Sequence, residues 1–198
     1  MNGAAYGPSL FVISGAPGAG KTTIAGNLMQ RFSFGLHIPV DNLREWVVSG
    51  IAHPRPTWTD ETARQFTLAR HGAADLARRY LDAGFAVAVD DVIGFDDVQS
   101  IFIDALRPRA VHPILLFPSL PSALARNATR TTKPFDTSVL ISTIEMLHEQ
   151  FEEQVREYPG WIVLETDDLS VDATVDRILE RTGRAIGRDE DSGRGRLG

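Results

Sequence analysis

The sequence predicts an α/β protein built on a five-stranded, mainly parallel sheet with helices on both faces. Three observations lead there. Short apolar runs alternate with longer helical patterns along the chain. Residues 15–22 read G-A-P-G-A-G-K-T, a full match to the G-x-x-x-x-G-K-[ST] phosphate-binding loop, set between an apolar run and a helical pattern. A second apolar run, Phe85-Ala86-Val87-Ala88-Val89, ends in Asp90-Asp91, as a buried parallel strand does.

The elements follow in order. Leu10-Phe11-Val12-Ile13-Ser14 predicts the first strand, and residues 22–31 predict a helix carrying Ile24, Leu28 and Met29 at helical spacing. His37-Ile38-Pro39-Val40 reads as the second strand. Asp41 then caps a helix over residues 42–49. The proline-rich stretch 50–59 is a loop. Asp60 caps a long helix to about residue 82, with Ala63, Phe66, Ala69, Ala73, Leu76, Ala77 and Tyr80 on one side. After the third strand, Asp96 or Asp97 starts a helix to about residue 106. Residues 111–117 are the fourth strand, and Ser119 with Pro121 opens a helix to about residue 130. Residues 131–136 read as a loop, 137–157 as a long helix, 161–164 as the last strand and 171–181 as the last helix.

Composition narrows the class. A chain of 198 residues fits one domain with its own core, expected over residues 1–183 with a lid at about 126–137. Residues 184–198 have little to bury and predict a disordered tail. The net charge of −6 argues against a broad nucleic-acid or anionic-membrane footprint. There is no cysteine, which excludes disulfides and thiolate catalysis. No apolar run approaches the ~20 residues that span a bilayer, and the N-terminus lacks the parts of a signal peptide. A cytoplasmic location is therefore expected. The sequence leaves a homodimer open. The five histidines are scattered without ligand spacing.

The loop names a ligand. Its glycines let the backbone curl so that successive N–H groups face phosphate oxygens. The nucleotide-binding set is Gly15, Ala16, Pro17, Gly18, Ala19, Gly20, Lys21, Thr22 and Thr23. Lys21 reaches the β- and γ-phosphates, and the Thr22 hydroxyl joins the shell of a bound Mg²⁺. The positive end of the next helix aims at the same anion. A carboxylate after a buried central strand lies near that metal, so Asp90 or Asp91 is the second candidate. Strand alternation turns the two to opposite sides and leaves open which serves; the plain alternative is a turn cap.

Asp41-Asn42-Leu43-Arg44 lies at the carboxyl end of the second strand, where open α/β sheets bind ligands. Asp41 is placed either to take a proton from an acceptor hydroxyl or only to cap its helix. Arg44, a cation in a first helical turn, opposes the helix dipole, so it either pairs with Asp41 or binds a polar group of the acceptor. Arg126 and Arg130 share a helical face leading into the lid. They read as charge stabilisers over a transferring phosphoryl group, or as a solvated basic face. Lys133 is a weaker candidate of the same kind. Trp46 and Trp58, with His53, Arg55 and Phe66, wall an acceptor pocket or simply pack. His148 sits among Glu145, Glu149 and Glu152 and reads as a surface residue. The turn 166–169 is a candidate purine contact.

The order of these motifs resembles the three-layer P-loop NTPase fold of small-molecule kinases with a short lid. It is similar to chloramphenicol phosphotransferases, in which a strand leads into V-D-x-L and a later one ends in D-D-V. Here these are Val40-Asp41-Asn42-Leu43 and Asp90-Asp91-Val92. D-N-L-R is also similar to adenylylsulfate kinases, the phosphate loop to polynucleotide 5′-kinases, and the whole plan to zeta-toxin kinases. The resemblance implies ATP and Mg²⁺ as cofactors, a small-molecule hydroxyl (antibiotic, sugar or nucleoside-like) as acceptor, Asp41 as general base and Arg126 with Arg130 as lid arginines. A polynucleotide 5′-hydroxyl kinase and a nucleotide-dependent switch without an acceptor are the alternatives. ATP rather than GTP follows from the resemblance, and no segment shows N-K-x-D.

Overall fold

The computed structural model describes residues 8–54, 57–129 and 137–183. Five parallel strands form one sheet in the order β2-β3-β1-β4-β5. They are β1 (Leu10–Ser14), β2 (Gly35–Pro39), β3 (Ala86–Asp90), β4 (Val111–Leu116) and β5 (Ile162–Leu164). Between and after them run α1 (Lys21–Met29), α2 (Val40–Glu45), α3 (Asp60–Asp82) and a short α4 (Phe95–Asp97). Then come α5 (Leu120–Ala128), α6 (Ile141–Glu157) and α7 (Val171–Arg181). Helix α4 widens directly into a π-helical stretch, Val98–Asp104, and a 3₁₀ turn, Thr137–Leu140, leads into α6.

Strand alternation builds three layers. Leu10, Val12, Val87, Val89 and Leu115 face α3, the π-helical stretch and α6, together with Ala73, Phe102 and Phe151. Phe11, Ile13, Ala86, Ala88, Ile114 and Leu116 face α1 and α7, together with Ile24, Leu28 and Ile178. Both β1 and β3 are buried on every residue, which is why they read as unbroken apolar runs. Ion pairs from Arg31, in the turn after α1, to Asp172 and Asp176 tie that turn to α7.

The α/β class, the five strands and their order of appearance agree with the sequence reading. Several boundaries differ, for local reasons. Helix α2 starts at Val40 directly from the strand and ends at Glu45, and Pro39 stands at its N-cap with no side-chain bond. Asp41 is therefore inside the first turn and is not the cap. Thr59, rather than Asp60, caps α3: it accepts from Thr62 N while Thr62 answers to the Thr59 backbone, a reciprocal box. The expected helix over 137–157 begins with the 3₁₀ turn. At its start, Asn127 Nδ2 donates to Thr137 O at 2.8 Å and Thr137 Oγ1 donates to Asn127 O at 2.8 Å, a buried clasp. Most of the expected lid, residues 130–136, and the expected tail, 184–198, lie outside the described residues.

Candidate functional site

Three strand ends meet at one edge of the sheet. Ile13 of β1 and Pro39 of β2 both pair with Asp90 of β3. The chain just beyond each strand supplies the phosphate loop, Asp41 and Asp91 respectively. That edge is the carboxyl end of a parallel sheet, where β1 has neighbours from both halves of the order.

The loop is pressed against the scaffold. A Cβ on Gly15 would lie 2.5 Å from Leu116 O, and one on Gly18 would lie 2.5 Å from Ala123 O. Gly18 and Gly20 have φ of +87° and +91°, a region open to glycine at little expense. Ala16 and Ala19 are buried beneath the loop. Lys21 Nζ arches back to Gly15 O at 2.8 Å and Ala16 O at 3.2 Å, so its charge lies across the mouth of the loop. Gly20 is the N-cap of α1 and has no side chain to satisfy the helix's first N–H groups, which leaves them for an anion.

Alternation separates the two carboxylates of β3. Asp90 shares a face with Ala86 and Ala88 and turns toward α1, where Thr22 Oγ1 donates to its Oδ2 at 2.6 Å. Asp91 turns toward α3. Arg70 Nε donates to Asp91 Oδ2 at 2.7 Å, and Val92 N donates to Asp91 Oδ1 at 2.8 Å. Arg70 also donates to Asp97 Oδ2 at 2.7 Å and Val92 O at 2.9 Å. Burial pushes the Asp91 carboxyl up from its ordinary value, opposed by Arg70. Asp91, one of the two candidates for the metal, is thus the partner of the part-buried Arg70. The hydroxyl–carboxylate pair of Thr22 and Asp90 is a hard oxygen donor set of the kind Mg²⁺ takes.

His37 was not foreseen. It lies on the α1 face of β2, its Nε2 3.3 Å from Asp90 Oδ1, within ion-pair range but without hydrogen-bond alignment. Its alternation with Leu36 and Ile38 was the available signal.

Arg44 is 7% exposed. Its Nη2 donates to Ala52 O at 2.7 Å, and its guanidinium carbon sits 3.7 Å from the Phe66 ring centroid. Burial pulls its pKa down, while Asp41, Asp91 and Glu45 push it up. Buried Gln65 completes the corner: Ala52 N donates to its Oε1, and its Nε2 donates to Gly50 O. Trp58 stacks on the other partner of this group, Phe66, at 5.1 Å and 21°. Trp46 and Trp58 are exposed, and so is Asp41. Arg55 lies outside the described residues.

Arg126 does not stand in a free flap. It donates to Thr166 O at 2.6 Å and Thr166 Oγ1 at 3.2 Å, and so walls a cavity of about 340 Å³ with Gly20, Thr23, Ile24, Leu169 and Thr174. The turn that carries Thr166 is pinned by Asp167, which accepts from Ser119 N at 3.0 Å and from Ser119 Oγ and Ser122 Oγ at 2.5 Å. Those hydroxyl bonds hold the Asp167 carboxyl down to about 2. Arg130 and Lys133 lie outside the described residues. His148 is half-buried, stacked on Phe117 at 4.6 Å with Nε2 3.3 Å from Pro118 O, rather than a free surface residue. Among the described residues no helix is long and apolar enough to cross a membrane.

A glycine cradle on a helix start, with lysine, threonine and an aspartate from a neighbouring parallel strand, defines a P-loop nucleotide-binding protein with the kinase-type α/β fold. The chain belongs to the AAA domain family, whose pattern matches residues 10–154. Its fold is similar to that of thymidylate kinase from Candida albicans, with a TM-score of 0.63 and 16% identity over 90% of this chain and 93% of that one. The tunicamycin resistance protein of Deinococcus radiodurans gives 0.61 and 16% over 89% and 96%. A gluconokinase from Sinorhizobium meliloti gives 0.57 and 18% over 89% and 93%. No curated protein sequence matches the chain.

Proposed function

We propose that this protein is an ATP- and Mg²⁺-dependent kinase that phosphorylates a hydroxyl of a small molecule, with Asp41 as general base. One observation carries it: the ends of three neighbouring parallel strands bring the phosphate loop, the Thr22–Asp90 pair and Asp41 to a single edge. Asp41 stands in the first turn of α2, one residue past the end of β2, and its exposed carboxylate supports the base role. The kinase names among the fold neighbours support the same class. The likeness to chloramphenicol phosphotransferases belongs to this proposal and rests on V-D-x-L and D-D-V.

When bound, ATP would supply the transferable γ-phosphoryl group and Mg²⁺ a positive charge that offsets its developing negative charge. The N–H groups from Gly18 to Thr22 hold phosphate oxygens, and Lys21 swings from the loop carbonyls to offset their charge. Thr22 and Asp90 would hold the cation. Asp41 accepts the hydroxyl proton as the acceptor oxygen bonds to phosphorus and the bridging oxygen leaves with ADP. Arg126 walls the nucleotide-base side of the site in this scheme. Most of the rate comes from positioning and electrostatics.

Transfer from γ-labelled ATP to a panel of nucleosides, sugars, hydroxylated antibiotics, adenylylsulfate and a 5′-hydroxyl oligonucleotide tests this. Label on a small molecule that Asp41→Asn reduces by about 10²–10⁴ in kcat is the expected result. Label released only as inorganic phosphate, equally in both proteins, would refute it and favour the nucleotide switch.

A further inference from the structure

The Asp90 carboxylate has two oxygens, and the bond from Thr22 accounts for one. Thr22 Oγ1 donates to Asp90 Oδ2 at 2.6 Å. Asp90 Oδ1 faces His37 Nε2 at 3.3 Å instead. Asp90 is 4% exposed, which leaves solvent little room to supply a second donor. A buried carboxylate oxygen without a donor is costly. His37 has the matching need. Its Nε2 is buried and makes no hydrogen bond.

The sheet register brings the two together. In the parallel pairing of β2 with β3, His37 stands beside Ala88 and Pro39 beside Asp90. Paired residues point to one face, here the α1 face, which also holds Ala86 and Ala88. Ile38 turns to the opposite face and packs in the other layer. The small Ala88 lets the imidazole lean along the sheet to Asp90, the next residue of β3 on that face. Such diagonal neighbours are within reach of a ring side chain. The other ring nitrogen, Nδ1, faces α1, where a Cβ on Gly26 would lie 4.0 Å away. The ring is thus held between helix and sheet with one nitrogen toward the carboxylate. A small turn of the ring aligns Nε2–H with Oδ1, and contacts of this kind tighten when a site is filled.

Building on the reading of Thr22 and Asp90 as the holders of the cation, we propose that His37 is a positioning residue for that site. It donates from Nε2 to Asp90 Oδ1, so the carboxylate keeps Oδ2 beside the Thr22 hydroxyl. It touches neither nucleotide nor acceptor. Outer hydrogen bonds that orient a carboxylate ligand raise metal affinity by about 10–100-fold. Phosphate binding by the loop does not depend on it.

Mn²⁺, which takes the same oxygen donors as Mg²⁺, is the probe, and the free ion is counted by electron paramagnetic resonance with the full chain and ADP. His37→Phe keeps the ring and removes the donor. It is expected to weaken Mn²⁺ binding by about 10–100-fold while ADP affinity in EDTA and the metal-free Tm stay unchanged. His37→Gln, which keeps an N–H donor, is expected to restore most of the loss. Nitrogen NMR of the parent protein gives a reading that needs no variant: a proton on Nε2 is expected. An unaltered Mn²⁺ affinity in His37→Phe would overturn the inference. So would an equal loss of ADP affinity in EDTA, a His37→Gln variant as weak as His37→Phe, or a ring protonated on Nδ1 alone. Failure of the parent protein with ADP to bind Mn²⁺ would overturn the Thr22–Asp90 reading together with the inference. Mn²⁺ binding that depends on His37, with no phosphoryl transfer to any acceptor, would sustain the inference and overturn the kinase reading.

Discussion

Two glycines of the phosphate loop separate backbone strain from steric overlap. Gly18 and Gly20 share nearly the same φ, +87° and +91°, but differ in what a Cβ would meet. At Gly18 it would lie 2.5 Å from the backbone oxygen of Ala123, whereas at Gly20 there is no atom within 4 Å. Alanine at either position takes the left-handed penalty of about 1–2 kcal/mol. Both also stiffen the unfolded chain by the same few tenths, which cancels in the comparison. Only Gly18→Ala adds an overlap with backbone held in α5, worth about 1–3 kcal/mol. The expected losses are therefore about 2–5 kcal/mol for Gly18→Ala and about 1–2 kcal/mol for Gly20→Ala. Urea unfolding of both variants beside the parent protein measures the gap through the midpoints at constant m. The Tm difference between the variants should be at least about 2 °C. Equal destabilisation would refute the reasoning, because it would mean that the loop does not press on α5 and that strain alone accounts for the glycines.

Lys21→Ala is expected to abolish turnover in the phosphoryl-transfer assay without lowering Tm. Asp90→Asn should reduce Mg²⁺-dependent activity by about 10–100-fold with the fold intact, the scale for a carboxylate acting through a metal's outer ligands. Asp91→Asn should instead lower stability by about 1–3 kcal/mol in urea, because it takes a charge-assisted partner from the part-buried Arg70. Asp167 sets a pH limit. Its folded value, about 2, lies below its ordinary 3.8, so its contribution is present above that ordinary value and is lost as pH falls through the interval. Asp167→Asn should flatten the acid limb of the Tm–pH curve between those two values and leave the curve near neutrality parallel to that of the parent.

How far a sequence discloses its fold depends on where the forces act. The strands β1 and β3 were plain because both faces of each are buried, which selects apolar residues at every position. The phosphate loop was plain because a cradle of inward N–H groups tolerates few spellings. The cap of α3 was misread by one residue, since Thr59 and Asp60 are both good caps and only the reciprocal bond with Thr62 decides between them. The partition of Asp90 from Asp91 needed the knowledge that α1 and α3 lie on opposite faces. Alternation says that the two diverge, and not which side holds Thr22. The engagement of Arg126 by Thr166 joins residues 40 apart in the chain, and no local pattern announces such a contact. Arg44 was expected to oppose its helix dipole from the first turn; α2 ends at Glu45, so Arg44 stands in the last turn, where a cation is favoured, and it packs on the ring of Phe66 on α3.

The clasp between Asn127 and Thr137 makes the stretch it encloses a replaceable cassette. Each partner gives a side-chain donor to the other's carbonyl, in a buried place, so the two ends of the cassette meet at a fixed gate whatever lies between them. Doubling the length of a loop so closed costs only about 0.6 kcal/mol. A change in the length of chain between the two partners is expected to leave the sheet and the phosphate loop in place. A protein engineer can use the same gate to splice in a reporter. One side chain of each type, ten residues apart, is enough to join the end of α5 to the turn before α6 independently of the chain between them.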